Sequence, residues 1–245
     1  MSLGALVLVP GLDGTALLFY RQAPILARRF QVETFPLPDD ESCTMESLVA
    51  ELKETVDRIA RERDEERVYL CGESFGGALS LSFALRHPKR LAGLVILNSF
   101  PYIRQRVRIR LGPALLKIMP WGAMPLVRRF TESRLHSSHT RPEDLEEFHR
   151  RTRAIGRLGY IRRLELLREY DIRDELHRIE IPTLLLAADE DHLVPSVAEA
   201  RFMAARMPSS TVRVLEGYGH VCMIHHDFDL LEHMEPWLGT NGVRP

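Results

Sequence analysis

The chain has 245 residues, 45% of them hydrophobic, and a formal net charge of −1 at pH 7. That is enough apolar material for one full α/β core, and no nucleic-acid recognition motif accompanies its charge, which excludes that class of partner. No run of eighteen apolar residues occurs, so a transmembrane segment is excluded. The amino terminus enters an apolar strand before a cleavable signal has room. Three cysteines, Cys43, Cys71 and Cys222, form an odd set without metal spacing, which suits a reducing compartment, and the expected location is cytoplasmic.

In chain order, the apolar run 5–9 predicts a first strand, followed by the turn Pro10-Gly11-Leu12-Asp13-Gly14-Thr15. Helical patterns near 17–29, 45–63, 76–87 and 196–206 alternate with strand patterns at 31–35, 67–71, 94–97, 183–187 and 211–215. Such alternation predicts an α/β fold: a mostly parallel sheet with helices on both faces and right-handed crossovers. Functional residues of such a sheet collect beyond the carboxyl ends of its strands. One interval breaks the rhythm. Residues 101–178 read as helical, punctuated by Pro101, Pro113, Pro120, Pro125 and Pro142. No repeat or low-complexity tract appears.

The segment Gly72-Glu73-Ser74-Phe75-Gly76-Gly77 joins a strand to a helix with serine at the apex. Glycines flank it because the turn forces an unfavourable backbone angle on the serine, and a Cβ at 72 or 76 would strike the neighbouring helix or strand. A serine nucleophile needs a base and a carboxylate that orients the base. Both follow at strand ends. The strand at 183–187 runs into Asp189-Glu190-Asp191-His192-Leu193-Val194-Pro195, and the strand at 211–215 into Glu216-Gly217-Tyr218-Gly219-His220. The order is therefore Ser74, then Asp191 or Asp189, then His220. Glu190 is expected to point into solvent.

This chain resembles the serine-dependent α/β-hydrolase superfamily, through Pro10 to Gly14, Gly72 to Gly77, Asp191 to Pro195 and Gly219-His220. The resemblance implies an α/β-hydrolase fold without metal or organic cofactor, and it selects Asp191 over Asp189, because members carry a Gly-x-x-Asp-x-x-Val-Pro loop; here Ala188 stands in place of the glycine. It also implies two backbone donors for an oxyanion, the N–H of Phe75 after the nucleophile and that of Leu12 after the first strand. Pro10 replaces the commoner histidine of that turn. Residues 101–178 resemble the helical cap of the superfamily, which divides the chain into a core, 1–100 and 179–245, and an inserted cap.

Among ten histidines, His225, His226 and His233 are expected on a helix from near Val221, in surface or packing roles. His87 ends the elbow helix, where an imidazole suits the helix dipole. His136 and His139 lack the third ligand of a metal site. Within the cap, Leu115, Leu116, Met119 and Trp121 are expected to line an apolar pocket or meet a membrane surface. Residues 101–178 carry 18 Lys+Arg against 10 Asp+Glu, a balance of +8, leaving −9 elsewhere. Arg150, Arg151, Arg153, Arg162 and Arg163 are expected on solvated faces among Glu146, Glu147, Glu165 and Glu169. Arg104, Arg106, Arg108 and Arg110 lack acidic neighbours, and a run of this kind attracts an anionic carrier or lipid.

The expectation is a serine esterase acting on a small carboxylic ester or thioester with an apolar acyl chain. The two short glycine motifs also resemble relatives that transfer acyl groups to alcohols, so acyl transfer is one alternative. A non-catalytic ligand receptor on a hydrolase scaffold is another. Haloalkane dehalogenation is disfavoured, because it needs an aspartate at position 74.

Overall fold

The computed structural model is described for residues 2–103 and 106–240, with backbone alone at 106–111, 125, 128 and 130. The strands are β1 (Ala5–Val9), β2 (Gln31–Thr34), β3 (Val68–Glu73), β4 (Leu91–Leu97), β5 (Thr183–Ala188) and β6 (Ser210–Leu215). They form one sheet in the order β2-β1-β3-β4-β5-β6, with every pairing parallel. The chain leaves β1 towards one edge and returns to β3 on its other side. The carboxyl ends of β1 and β3, in register at Val9 and Gly72, therefore lie at the topological switch point, where open α/β sheets bind ligands.

Alternation along the strands makes two cores. Ala5, Val7 and Val9 face one side with Leu70, Leu94 and Leu185, against α2 (Met45–Arg63), α3 (Phe75–Arg86) and α8 (Ser196–Ala204). Leu6 and Leu8 face the other with Cys71, Val95 and Leu186, against α1 (Gln22–Leu26) and α9 (Leu230–Thr240). Burial on both faces explains why these strands read as continuous apolar runs.

Between β4 and β5 lie α4 (Arg106–Ile118), α5 (Met124–Leu135), α6 (Pro142–Thr152) and α7 (Arg157–Glu169). The ends of this segment meet: the Ile172 N–H donates to the Pro101 carbonyl at 3.0 Å, and Tyr102 bridges Asp171 antiparallel. Among the described residues no helix is long and apolar enough to cross a membrane.

Three expectations on element bounds change. The stretch 17–29 is a 3-10 turn, Leu17–Tyr20, and then the short α1. Pro24, lacking an N–H, is tolerated only in the first turn of a helix, so the helix restarts just before it. Strand β4 begins three residues before the expected 94, since Leu91 and Gly93 already pair with Val68 and Tyr69 of β3; Gly93 also leaves room for Trp237, 2.7 Å from a would-be Cβ. No helix runs from Val221. A 3-10 turn, Cys222–Ile224, ends in extended backbone at His225, and only His233 lies on α9. The buried Gln22 amide donates to the Met223 and Phe228 carbonyls and accepts from the Leu230 N–H, which holds that stretch as a loop.

Ser74 sits between β3 and α3 at φ 53°, a left-handed conformation. A Cβ on Gly76 would lie 2.1 Å from the Val9 carbonyl oxygen, and one on Gly72 would lie 2.3 Å from that of Gly76. Strand β1 and helix α3 thus approach to a distance that excludes any side chain. Gly76→Ala is expected to destabilise the fold by about 3 kcal/mol or more, at the upper end of overpacking, because the obstacle is backbone. A urea melt with a midpoint close to wild type would refute this account of the turn.

Candidate active site

The strained turn is held from three sides. The Ser74 N–H donates to the Leu97 carbonyl at 2.9 Å, its carbonyl accepts the Gly77 N–H at 3.0 Å, and the Ser99 hydroxyl donates to the same carbonyl at 2.7 Å. A non-glycine residue at such an angle stores roughly 1–3 kcal/mol of strain, and these bonds leave the turn no alternative. Ser74 itself is buried.

His220 arrives on the loop after β6. Asn98, fully buried at the end of β4, donates from Nδ2 to the His220 carbonyl at 2.7 Å and accepts the Ala188 N–H at 2.8 Å. One amide therefore sets the separation of the β4, β5 and β6 loop ends. Each buried polar group left without its partner would cost roughly 1–3 kcal/mol. The strand-end rule could have flagged Asn98 and Ser99, which directly follow the apolar run of β4; the sequence reading passed over both.

Asp191 lies on the loop after β5. Its Oδ1 accepts the Leu193 and Val194 N–H groups, both at 2.9 Å, and its Oδ2 accepts from the Ser196 hydroxyl and from His220 Nδ1, the latter at 2.7 Å. The structure places His220 Nε2 3.0 Å from Ser74 Oγ. A carboxylate only accepts, so Nδ1 carries the proton and Nε2 is left with a lone pair facing the serine hydroxyl. Asp189 is exposed and accepts the Gly217 N–H at 2.8 Å, bracing the histidine loop from outside. Of the two carboxylates left open by the sequence, it is Asp191 that meets the imidazole. Glu190 is not simply solvated as expected, since it accepts the Ser138 N–H at 3.3 Å.

Burial penalises charge on both partners, but His220 and the surrounding donors outweigh it for Asp191 and hold its carboxyl below the ordinary range. For His220, burial disfavours the imidazolium, while Asp191, and more weakly Glu73, favour it enough to raise its pKa. Glu73 is buried beside them, and burial pushes it up to about 7.

The two expected oxyanion donors lie on adjacent turns. A Cβ on Gly11 would sit 3.4 Å from that of Ser74, and among the described residues neither the Leu12 nor the Phe75 N–H has a hydrogen-bond acceptor. Unspent donors flanking a nucleophile are what an anionic intermediate requires. The expected pocket residues are more dispersed. Leu115, expected in a pocket wall, is 62% exposed, and its neighbour Ile118 is 81% exposed. The other face of α4 is the one turned to α7: Arg157 donates to the Leu116 and Lys117 carbonyls, and Lys117 pairs with Glu165. Leu116, Met119 and Trp121 are half-buried, Trp121 with its ring 6.1 Å from that of Tyr160. Arg104 and the side chains of Arg106, Arg108 and Arg110 lie outside the described residues. Arg150 and Arg151 pair with Glu147, and Arg162 with Glu165. Arg163, expected on a solvated face, is instead buried at 2% exposure. Its guanidinium finds backbone carbonyls under the helix.

Residues 41–227 match the family described as serine aminopeptidase, S33. The chain belongs to this α/β-hydrolase family. Over 245 aligned residues the hydrolase is 28% identical to a pimeloyl-[acyl-carrier protein] methyl ester esterase of Aeromonas hydrophila, covering 96% of this chain and 95% of that one. In fold it resembles a thermophilic esterase from Thermogutta terrifontis, with a TM-score of 0.83 at 21% identity over 97% of this chain and 90% of the other. It also resembles MenH from S. aureus, with a TM-score of 0.82 at 17% identity over 98% and 95%.

Where His220 serves as the general base it must be neutral, so kcat/KM should rise with pH along a limb set by that imidazole, above its ordinary value. Glu73→Gln removes an anion that favours the imidazolium, so the limb should move to lower pH. The native Glu73 also binds a proton that the unfolded chain releases between its ordinary pKa and about 7. Wild type should therefore lose stability relative to Glu73→Gln as pH rises through that window. A pH–rate profile that stays put, or moves up, would contradict this electrostatic picture.

Proposed function

We propose that the protein hydrolyses small carboxylic esters through an acyl-enzyme on Ser74. The observation that carries this reading is the continuous hydrogen-bonded chain from Ser74 Oγ to His220 at 3.0 Å and from His220 to Asp191 at 2.7 Å. Ser74 Oγ attacks the ester carbonyl carbon while His220 Nε2 takes its proton. The carbonyl oxygen becomes an oxyanion, held by the N–H groups of Leu12 and Phe75. As the intermediate collapses, the imidazolium returns the proton to the departing alcohol. Water then repeats the sequence on the acyl-enzyme, releasing the acid and restoring Ser74. The ionised Asp191 fixes the imidazole tautomer throughout, and the same steps serve a thioester with a thiol as leaving group.

The likeness to the Aeromonas hydrophila methyl ester esterase supports ester over amide as the substrate bond. We assign residues 101–178 as a cap over this site and the remainder as the core. The half-buried Leu116, Met119 and Trp121 beside α7 favour an apolar acyl chain, in which each buried methylene is worth about 0.8 kcal/mol.

Ser74→Ala should lower turnover of a p-nitrophenyl ester by roughly 10⁴-fold or more and abolish labelling by a fluorophosphonate probe. Asp191→Asn should lose about 10³- to 10⁴-fold, because an amide no longer enforces the tautomer, whereas Asp189→Asn should stay near wild type. Retained activity in Ser74→Ala, or a reversed order for the two aspartates, would overturn the assignment.

A further inference from the structure

The buried guanidinium of Arg163 is the least expected charge in the molecule. Taking a cation out of water is expensive unless its donors are used, and burial lowers the Arg163 pKa, with Asp13 as the leading favourable charge. Its Nε donates to the Leu12 carbonyl at 3.1 Å and its Nη1 to the Pro38 carbonyl at 3.0 Å. The guanidinium lies flat on the turn: a Cβ on Gly14, at φ 70°, would sit 2.5 Å from Nη2. That turn closes through the Gly14 N–H to the Gly11 carbonyl at 3.1 Å, and it joins the segment after β2 through the Leu37 N–H to the Gly14 carbonyl at 2.8 Å. Asp13 stiffens it further by accepting from the N–H and hydroxyl of Thr15.

We propose that Arg163 is a positioning residue for the oxyanion donor Leu12, acting through its own hydrogen bonds to the turn and not through the seating of α7. The proposal rests on the ester-hydrolysis reading above. The Leu12 N–H shares its peptide plane with the Gly11 carbonyl, which the Gly14 N–H holds at 3.1 Å, and Arg163 holds the next plane through the Leu12 carbonyl, so the guanidinium braces the turn that aims this N–H. Leu12 has no other tether of this kind on its carbonyl among the described residues. Helix α7 is itself seated on the core by contacts that do not touch the turn: the Gly159 N–H donates to Asp39 at 2.6 Å and Arg162 donates to the Cys43 carbonyl at 2.6 Å. A cap helix and an oxyanion turn are thus joined by one side chain, and the remaining anchors of the helix offer an internal control.

The test uses the full chain and an ester substrate series, with a trifluoromethyl ketone as the probe, since its adduct with Ser74 carries an oxyanion in the same place as the intermediate. Arg163→Met should lower kcat roughly 10- to 100-fold, up to the loss that a misplaced group brings and short of the roughly 10²- to 10³-fold of a missing oxyanion donor. KM for a small neutral ester should barely change, and inhibition by the ketone should weaken by the same factor as kcat/KM. Arg163→Lys keeps the charge and one donor but loses the fork, so it should fall between the two and serve as the readout if the methionine variant does not fold. Arg162→Gln, which loosens α7 away from the turn, should leave kcat and ketone affinity near wild type. A folded Arg163→Met or Arg163→Lys with unchanged kcat and ketone affinity would overturn the proposal. So would an equal loss in Arg162→Gln, which would make helix seating alone responsible. A wild-type protein that neither turns over esters nor binds the ketone would instead remove the ester reading itself.

Discussion

Everything at this site depends on one contact, the backbone of α3 against the end of β1 at Gly76. With a Cβ excluded at 2.1 Å from the Val9 carbonyl, the first turn of α3 lies directly beneath the loop that follows β1. That closeness has two consequences. It bends the chain so sharply that Ser74 takes a left-handed angle, and it brings Gly11 to the side of Ser74. The turn that carries Ser74 and the turn that carries Leu12, the proposed nucleophile and oxyanion donor, are therefore one construction. The strain at Ser74 is sustained because its N–H and carbonyl are bonded to Leu97, Gly77 and Ser99, all in rigid surroundings, and not by anything a substrate supplies.

The imidazole is delivered differently. His220 comes from a loop with glycines at 217 and 219, and a loop of that composition has no intrinsic preference for the observed position. Its position is imposed by long-range bonds: Asn98 to the His220 carbonyl, the Glu190 N–H to the Tyr218 carbonyl, Asp189 to the Gly217 N–H, and the Val221 N–H to the Leu135 carbonyl on α5. Three come from strand ends of the core and one from the inserted helices. The His220 loop is thus coupled to the helices between β4 and β5 from one side, as Leu12 is through Arg163 from the other.

How much of this was legible in the sequence follows from the range of the interactions. Strands β1, β3, β4 and β5 were readable because burial on both faces leaves long apolar runs, and α2 because its apolar residues recur at helical spacing. Ser74, Asp191 and His220 were readable because glycine spacing and strand ends mark where chemistry concentrates, although choosing Asp191 over Asp189 needed a family pattern before the structure brought it to the imidazole. The breakdown of the expected helix at Val221 was not readable, since its cause is Gln22, some two hundred residues away in the chain. Arg163 was hidden for a related reason. It sits in a helix rich in arginine and glutamate, where periodicity assigns charge to solvent, and only the close approach of Gly159 to the Pro38 carbonyl, 2.4 Å from a would-be Cβ, reveals that this face is pressed into the core.

The protonation pattern around His220 follows from how many donors each neighbouring carboxyl commands. Asp191 accepts from two backbone N–H groups, a hydroxyl and the imidazole, and stays ionised despite burial. Glu73 is as deeply buried, and the charge of His220 and the Gly11 N–H offset that burial too little against Asp13 and Asp191, so it is driven to about 7. Asp13 is raised by burial too, with Thr15 and Arg163 working against the shift. Were all three fully ionised, the imidazolium formed during ester attack would be over-stabilised, and a base held too firmly in its charged form gives its proton back poorly to a leaving group. One carboxylate saturated with donors, beside a second kept near neutrality by having few, supplies the orientation of a full negative charge without that excess. The difference between Asp191 and Glu73 is therefore set by what each carboxyl faces: burial offset by the His220 imidazole, the Ser196 hydroxyl and backbone N–H groups for the first, and burial with few donors for the second.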